Sequence, residues 1–317
     1  MRIVADQHIP FFTEAVRKGW PEADVCSLKP EEIDTSAVRE ADVLVVRTRT
    51  KVDEHLLRDS QVRLVCTATI GFDHIDTSYC EANGIRWMSC PGCNAQAVCD
   101  YVEEALEEAE TEGIKPKVIG VVGVGHVGSL VAQMAARRGL KVLLNDPPKG
   151  IGISLDEITR DSDVITFHTP LTTDGDYPTF HMCDEAFLKK CKPNALIINA
   201  SRGGVADEQA LLRSGHPYIL DTWEREPDID GEVLRHAFRA SMHIAGYSIE
   251  GKKNATQACL DAISQEFCLP ILKCDKFFVP LQPISGDSAL GWLERVTHQL
   301  KESPRDFEQL RKQYKLR

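Results

Sequence analysis

The chain has 317 residues, with 37 lysines and arginines against 48 aspartates and glutamates, so its net charge is −11 at pH 7. This length predicts about two domains of roughly 150 residues, and 43% hydrophobic with 27% charged residues is typical of a folded protein, which excludes a mainly disordered chain. The negative charge disfavours a general nucleic-acid or anionic-membrane binder, and no apolar run approaches the roughly 18 residues of a membrane helix.

Short β-branched runs alternate with helical patterns along the chain. The first run starts near Met1 and ends in an acidic residue, which predicts a strand and not a signal peptide. Several runs are almost wholly apolar, as parallel strands covered by helices on both faces must be. The predicted strands are Arg2–Ala5, Val43–Arg47, Leu64–Cys66, Ile85–Met88, Val118–Val122, Lys141–Asn145, Val164–Phe167, Ala195–Asn199 and Tyr218–Asp221.

Two sheets are predicted, because a long helical pattern from Ala95 to Ala109 interrupts the series of strands. A second series begins at Val118, and a helical pattern over Gly251–Leu272 would return the chain to the first domain. We therefore expect an α/β protein with two Rossmann/flavodoxin-like parallel-sheet domains and a cleft between them. The expected division is a substrate domain (residues 1–93 and 256–280), an NAD-binding domain (94–255) and a short C-terminal segment (281–317).

The eleven cysteines are scattered, and no secretory segment accompanies them, so reduced thiols in a cytoplasmic protein are expected. Cys90 and Cys93 have the C-x-x-C spacing of a redox pair or of half a zinc site. A second cysteine pair for zinc and a thioredoxin-like context are both missing from the sequence. Two unpaired thiols in a turn before a helix are the favoured interpretation, and we expect no metal.

A G-x-G-x-x-G motif follows the predicted strand Val118–Val122 and opens a helix. Gly123 would make the tight turn, Gly125 would admit a pyrophosphate, and Gly128 would let the helix pack on the strand. The helix start at His126 and Val127 offers free N–H groups to phosphates. Asp146, 18 residues after Gly128, could bind both ribose hydroxyls and repel a 2′-phosphate, so the motif predicts NAD. The alternative is a glycine-rich turn that binds no ligand.

Polar clusters follow the later strands of this series, where open α/β sheets bind ligands. They bring one arginine, one glutamate and one histidine to neighbouring strand ends: Arg202, Glu226 and His243. Oxidation of a 2-hydroxy acid needs a base for the hydroxyl proton, a carboxylate that orients the base, and a cation for the substrate carboxylate. The alternative is structural, with His243 as a core histidine and the other two as a surface ion pair.

These residues resemble the signatures of the D-isomer-specific 2-hydroxyacid dehydrogenases. Asn199-x-Ser201-Arg202-Gly203 is similar to the family's arginine segment, Asp221…Glu226-Pro227 to its glutamate segment, and His243 to its base. The resemblance runs from residue 1 to about 275. The runs Pro91–Ala95 and His243–Tyr247 are more specific, and they resemble a branch of the family that acts on a phosphorylated 2-hydroxy acid.

The resemblance implies a site, position by position. Arg202, Glu226 and His243 would be catalytic, and Thr48, Thr69 and Tyr247 would bind substrate. The implied NAD-binding residues are Asp146, Thr169, Ala200, Ser201, Arg202, Asp221 and Gly246. The family also implies a homodimer, and residues 281–317 resemble only the first part of its dimerisation domain.

The sequence leaves two questions undecided: which cation binds the substrate phosphate, and which function the site serves. Hydroxyl side chains suit a polyhydroxy acid, and Arg47, Arg49 or Lys51 could bind its phosphate, but the sequence does not choose among these cations. The alternative functions are a dehydrogenase of another 2-hydroxy acid, such as 3-phosphoglycerate, and an NAD-sensing, corepressor-like binding protein.

Overall fold

The computed structural model describes residues 1–274 and 291–314, which divide into two compact units. The first unit contains Met1–Asn94 and residues 247–274, and the second contains Ala95–Gly246 and residues 291–314. The expected domain division places the return to the first domain at residue 256, whereas the first unit resumes at Tyr247. Part of the expected segments 256–280 and 281–317 lies outside the described residues.

The first unit is built on a five-stranded parallel sheet with the strand order β2-β1-β3-β4-β5. Its strands are β1 Arg2–Asp6, β2 Asp24–Leu28, β3 Val43–Val46, β4 Leu64–Thr67 and β5 Arg86–Met88. Its helices are α1 Phe12–Gly19, α2 Thr35–Val38, α3 Glu54–Leu57, α4 Thr77–Ala82 and α11 Ile249–Glu266.

The side chains of β3 alternate between two hydrophobic cores, one on each face of this sheet. Val43 and Val45 pack in the core that also contains residues of α1 and α11, whereas Leu44 and Val46 pack in the core on the opposite face. Burial on both faces explains why the strand is apolar at every position. The edge strand β2 was not predicted, because its side chains are only partly buried and its sequence contains Asp24 and Ser27.

The second unit has a seven-stranded sheet with the strand order β12-β11-β10-β9-β6-β7-β8, and all pairs are parallel except β7 with β8. Its strands are β6 Val118–Val122, β7 Lys141–Asp146, β8 Ile151–Gly152, β9 Val164–Phe167, β10 Leu196–Asn199, β11 Tyr218–Leu220 and β12 Arg239–Ala240. Its helices are α5 Ala95–Thr111, α6 His126–Arg137, α7 Leu155–Asp161, α8 Glu185–Lys190, α9 Glu208–Ser214, α10 Gly231–His236, α12 Trp292–Glu302 and α13 Phe307–Gln313.

Two α/β units, whose sheets are parallel apart from the β7–β8 pair, confirm the predicted fold class. In the second sheet the chain order reverses between β6 and β9, and a reversal of this kind opens a ligand crevice at the carboxyl ends of the strands. The two-residue strands β8 and β12 were not predicted, since they are too short to show a period of two.

Helix α11 ends earlier than the helical pattern predicted. It stops at Glu266 and not at Leu272, because Cys268 adopts a left-handed backbone (φ +51°) and Pro270 cannot continue a helix. The remaining turn is closed by a hydrogen bond from the Leu269 N–H to the Ser264 carbonyl.

The described C-terminal helix α12 packs on the second unit through a buried carboxylate. Glu108 accepts a hydrogen bond of 2.6 Å from Arg239 Nε and another of 2.7 Å from the Leu293 N–H at the start of α12. One side chain therefore pairs a buried guanidinium and caps a helix. Across the described ranges, no helix is long and apolar enough to span a bilayer.

Candidate functional site

The glycine-rich turn between β6 and α6 has the geometry of a phosphate-binding loop. Gly123 has φ +87°, and a Cβ atom there would lie 2.6 Å from the His168 carbonyl oxygen. A Cβ at Gly128 would overlap the Gly123 carbonyl oxygen, so helix and strand touch at this point. A Cβ at Gly125, by contrast, would meet nothing within 4 Å. The turn is closed on its protein side and open where a pyrophosphate would approach.

A cavity of about 990 Å³ lies beside this turn, and it is large enough for a dinucleotide. The predicted residues Gly123, Gly125, Asp146 and Thr169 line it. Its other lining residues include several that the sequence did not single out, among them Lys149, Ile151, Leu155, Tyr177, Pro178 and Met182.

His126 and Val127, also predicted at NAD, form the first turn of α6. Their N–H groups have no partner within the helix, because the first N–H groups of a helix lie beyond its hydrogen-bond ladder. Together with the positive end of the helix dipole, they suit an anionic group. The turn, the helix start and the cavity therefore fit NAD.

Asp146 closes β7 and lines the cavity. Its Oδ2 atom accepts a hydrogen bond of 2.8 Å from the Val124 N–H and lies 3.6 Å from Lys149 Nζ. A carboxylate fixed by a backbone amide is positioned to accept hydrogen bonds from ribose hydroxyls. Lys149 is a neighbour of opposite charge that could favour a 2′-phosphate if the carboxylate were removed.

We expect Asp146→Ala to move cofactor preference from NAD toward NADP. Losing a charge-assisted contact of about 1.5–3 kcal/mol should raise the KM for NAD roughly 10- to 100-fold, while the repulsion of a 2′-phosphate disappears. Steady-state kinetics with both cofactors would measure the shift. Adding Lys149→Ala to this variant should abolish the gain in NADP use. An unchanged cofactor preference in Asp146→Ala would contradict the role of Asp146 in selecting NAD.

The turn after β10 holds Arg202. Asn199 Oδ1 accepts hydrogen bonds from the backbone N–H and the hydroxyl of Ser201, and its Nδ2 donates to the Arg202 carbonyl at 2.9 Å. Ala200 and Ser201 are buried, whereas the Arg202 side chain is exposed. This side-chain-capped turn presents a guanidinium on a fixed backbone.

The loop after β11 holds Glu226. Trp223 is buried, and its indole N–H donates to the Ser241 carbonyl at 2.9 Å. The Trp223 backbone N–H donates to Glu226 Oε1 at 2.9 Å. A Cβ at Gly203 would overlap the Trp223 carbonyl oxygen, so the loops carrying Arg202 and Glu226 touch at a position that only glycine can occupy.

Asp221, predicted at NAD, is 1% exposed, and both of its carboxylate oxygens are engaged. It accepts hydrogen bonds from Ser241 Oγ (2.6 Å), the Ile244 N–H (2.7 Å) and the Ala245 N–H (3.0 Å). These bonds hold the loop that carries His243, whose backbone is left-handed at φ +58°. In this structure Asp221 supports the histidine loop, and a contact with NAD stays a prediction. Gly246, half-buried, ends the same loop.

His243 and Glu226 form a bonded pair. The Nδ1 atom of His243 lies 2.8 Å from Glu226 Oε2 and 3.1 Å from Oε1. Burial opposes the charge of Glu226, yet the hydrogen bond and charge of His243 and the Trp223 N–H bring its pKa below the ordinary value. The carboxylate is therefore ionised at neutral pH, and the Nε2 atom of His243 is left for a substrate.

The residues predicted to bind substrate all lie in the first unit. Thr48 is exposed and follows β3, and Thr69 is half-buried and follows the neighbouring strand β4. Tyr247 is half-buried and precedes Ser248, the N-cap of α11. The carboxyl ends of parallel neighbours meet at one sheet edge, so Thr48 and Thr69 share that edge.

Cys90 and Cys93 are free thiols in the turn before α5. Cys90 Sγ lies 3.3 Å from the Thr67 carbonyl and 3.5 Å from the Ala255 carbonyl, both within reach of its single S–H, which places β4 against α11. A hydrogen bond with Cys259 and burial raise the pKa of Cys90, and burial raises the pKa of Cys93 to about 12. Neutral, inward-facing thiols suit packing better than redox or metal chemistry.

Sequence reasoning missed Glu208, a 6% exposed carboxyl at the start of α9. Its Oε1 atom accepts a hydrogen bond of 2.7 Å from the Glu224 N–H, in the loop that carries Glu226. Burial raises the pKa of Glu208 to about 7. No local signal marks this residue, because its partner lies on another loop.

This pKa makes stability depend on pH in a defined direction. The folded state binds a proton more tightly than the unfolded state, so the contribution of Glu208 is complete below about pH 4.5 and is lost as pH rises toward 7. Glu208→Gln keeps the acceptor and removes the titration, so the variant should gain roughly 2–3 kcal/mol relative to the original chain between pH 5 and pH 8. Urea unfolding across this range, with exposed Glu22→Gln as control, checks this; a pH-independent difference would contradict it.

Comparison with known proteins places this geometry in a family. The chain is 40% identical to erythronate-4-phosphate dehydrogenase of Bacteroides fragilis over all of this chain and 97% of that protein. It is 40% identical to the enzyme of the same name from Porphyromonas gingivalis over 99% of this chain and 92% of that protein. Residues 96–245 match the family model described as D-isomer specific 2-hydroxyacid dehydrogenase, NAD binding domain.

The chain belongs to the erythronate-4-phosphate dehydrogenases, within the D-isomer-specific 2-hydroxyacid dehydrogenase family. Membership makes it an NAD-dependent oxidoreductase that acts on a hydroxyl group. A solved structure, NAD-bound 3-phosphoglycerate dehydrogenase of Entamoeba histolytica, has the same fold (TM-score 0.66, 24% identity, 84% of this chain and 95% of that chain). The resemblance drawn from the sequence is thereby confirmed.

Proposed function

We propose that the protein oxidises 4-phospho-D-erythronate to 2-oxo-3-hydroxy-4-phosphobutanoate with NAD, a step of pyridoxal 5′-phosphate biosynthesis. The observation that carries the chemistry is the His243–Glu226 pair, with 2.8 Å between Nδ1 and Oε2. The substrate assignment rests on the relatives at 40% identity and on the resemblance of the two specific sequence runs to that branch.

NAD supplies a hydride acceptor when bound. His243 takes the proton of the C2 hydroxyl on Nε2, because Glu226 occupies Nδ1. Glu226 fixes the orientation of the ring and stabilises the imidazolium that forms. Arg202, which spends one N–H on the Ser201 carbonyl, keeps donors for the C1 carboxylate.

The three cations considered for the substrate phosphate differ in exposure and in pairing. Lys51 pairs with Asp53 at 2.9 Å and is strongly exposed, and Arg49 is also exposed. Arg47 is half-buried just after β3, and within residues 1–274 and 291–314 its guanidinium has neither a hydrogen-bond partner nor an acidic partner. A half-buried cation without a partner is a candidate for binding an anion.

Lys252, in the first turns of α11, is a second half-buried cation without an acidic partner in the described residues. Cys90 bridges the end of β4 and Ala255, and so brings this part of α11 to the strand ends. Burial and the charge of Arg47 lower the pKa of Lys252. Repulsion between these two cations would be relieved by a dianion, so we assign the substrate phosphate to Arg47 and Lys252.

We expect Arg47→Ala and Lys252→Ala each to raise the KM for 4-phospho-D-erythronate roughly 10- to 100-fold, the value of a charge-assisted hydrogen bond. Turnover of unphosphorylated D-erythronate should change far less, so the preference for the phosphorylated acid falls. Arg49→Ala serves as the matched control. Equal losses on both substrates would contradict a phosphate-binding role.

A panel of acids at fixed NAD, followed by NADH absorbance, tests the function itself. We expect the highest kcat/KM with 4-phospho-D-erythronate. A higher value with D-3-phosphoglycerate or D-lactate would make the protein a different dehydrogenase. Binding of NAD without turnover of any acid would favour a corepressor-like binding protein.

We also propose that the protein is a cytoplasmic homodimer. The support is its family resemblance and, for the compartment, the many reduced thiols. Light scattering of the purified protein tests the dimer, and a mass of 35.3 kDa, that of one chain, would overturn it.

A further inference from the structure

A chain of hydrogen bonds ends at Thr69, the substrate-binding candidate that follows β4. His74 Nε2 lies 3.0 Å from Thr67 Oγ1, and Thr67 Oγ1 lies 2.6 Å from Thr69 Oγ1. Thr69 Oγ1 in turn donates to the Gly71 carbonyl at 2.9 Å. Thr67 is fully buried, so solvent does not compete for its hydroxyl.

The positions of the protons follow from counting donors. Each threonine hydroxyl has one proton, and Thr69 spends its proton on the Gly71 carbonyl, which can only accept. The proton between the two threonines therefore belongs to Thr67. Since Thr67 has then spent its proton, the proton between Thr67 and the imidazole sits on His74 Nε2. The chain runs in one direction, from His74 through Thr67 and Thr69 to Gly71.

His74 can hold this arrangement at neutral pH. Burial lowers the pKa of His74, and Asp73 opposes this only in part, so the neutral ring is favoured. A neutral imidazole carries its proton on one nitrogen only, and the bond to Thr67 selects Nε2.

Thr69 is left with one lone pair on Oγ1 and no proton to give. Such an oxygen attracts a hydroxyl donor and repels the oxygens of a carboxylate, a phosphate or a ketone. In 4-phospho-D-erythronate the C1 carboxylate and the C4 phosphate only accept, and the C2 hydroxyl is the group that reacts. The C3 hydroxyl is the one remaining donor.

We propose that Thr69 accepts a hydrogen bond from the C3 hydroxyl of the substrate, and that His74 is a positioning residue that fixes this polarity through Thr67. The proposal deepens the proposed function and rests on it for the identity of the acid. It makes selection for a 3-hydroxy acid a property of the loop after β4.

Discrimination between acids that differ only at C3 is the direct test. The pairs are 4-phospho-D-erythronate with its 3-deoxy analogue, and D-glycerate with D-lactate. The original chain should favour the 3-hydroxy member about 10-fold or more in kcat/KM. Thr67→Val and His74→Ala should each lower this ratio at least threefold, through a change in KM. His74→Gln should retain the ratio, because its amide N–H can donate to Thr67. His55→Ala, at an exposed position, should give the same ratio as the original chain.

Equal losses on both members of a pair would indicate a merely structural role and overturn the proposal, as would an unchanged ratio in Thr67→Val and His74→Ala. A nitrogen NMR spectrum of the protein provides a readout independent of turnover. His74 should carry its proton on Nε2 at pH 7, and a proton on Nδ1 alone would refute the relay. If the acid panel instead shows no turnover of 4-phospho-D-erythronate, the proposed function fails, while the NMR result still decides the relay.

Discussion

His243→Gln should lower kcat about 10²- to 10⁴-fold while NAD binding is retained. Removal of a positioned general base has an effect of this size, and the side chain does not line the NAD cavity. Single-turnover kinetics and a NAD titration would separate the two effects. His236→Ala, on the exposed surface of α10, is the matched control.

Glu226→Gln sharpens this test. The amide can still hold the ring by accepting from Nδ1–H, but it cannot balance the charge that appears when His243 is protonated. We therefore expect a loss of roughly 10- to 100-fold, smaller than that of His243→Gln. A His243→Gln variant that kept at least a tenth of the original kcat would refute the assignment of the base.

Gly203→Ala should be among the most damaging single-methyl changes in the second unit. The new Cβ would overlap the Trp223 carbonyl oxygen, and backbone atoms on both sides would have to move apart. Because Arg202 and the Glu226 loop flank this contact, we expect a loss of about 2–4 kcal/mol in stability and at least a 10-fold fall in kcat.

Gly231→Ala is the matched control for that substitution. A Cβ at Gly231 would meet nothing within 4 Å, and the residue begins α10, where alanine is well tolerated. Thermal unfolding and kcat of both variants would check the comparison. If Gly203→Ala were as stable and active as Gly231→Ala, the close approach of the two loops would not matter for the site.

Within the described residues, local sequence patterns were enough to predict the dinucleotide loop and nine of the ten strands that have three or more residues, all except β2. The spacing of Gly123, Gly125 and Gly128 reflects steric requirements within a few residues, so it is readable in one dimension. The ends of β10 and β11 were equally visible, because the polar residues Arg202 and Glu226 follow buried apolar runs.

Contacts between distant segments could not be predicted in this way. Asp221 serves the loop at Ile244 and Ala245, and Glu208 holds the N–H of Glu224. The possible role of Lys149 in cofactor preference is visible only from its distance to Asp146 and its place in the cavity lining. These roles depend on loop packing, which follows from no periodicity or motif in the chain.

The reversal of strand order in the second sheet has an evolutionary consequence. Asp146 ends β7, whereas His243 follows β12, and β6, β9, β10 and β11 lie between those strands. The His243 N–H donates to the Asp221 carbonyl at the end of β11, so at about 4.8 Å per strand the two residues are roughly 19 Å apart. At such separations the free-energy effects of substitutions usually add. Cofactor preference can therefore drift from one lineage to another without a penalty in proton transfer, and the two traits can be selected one at a time.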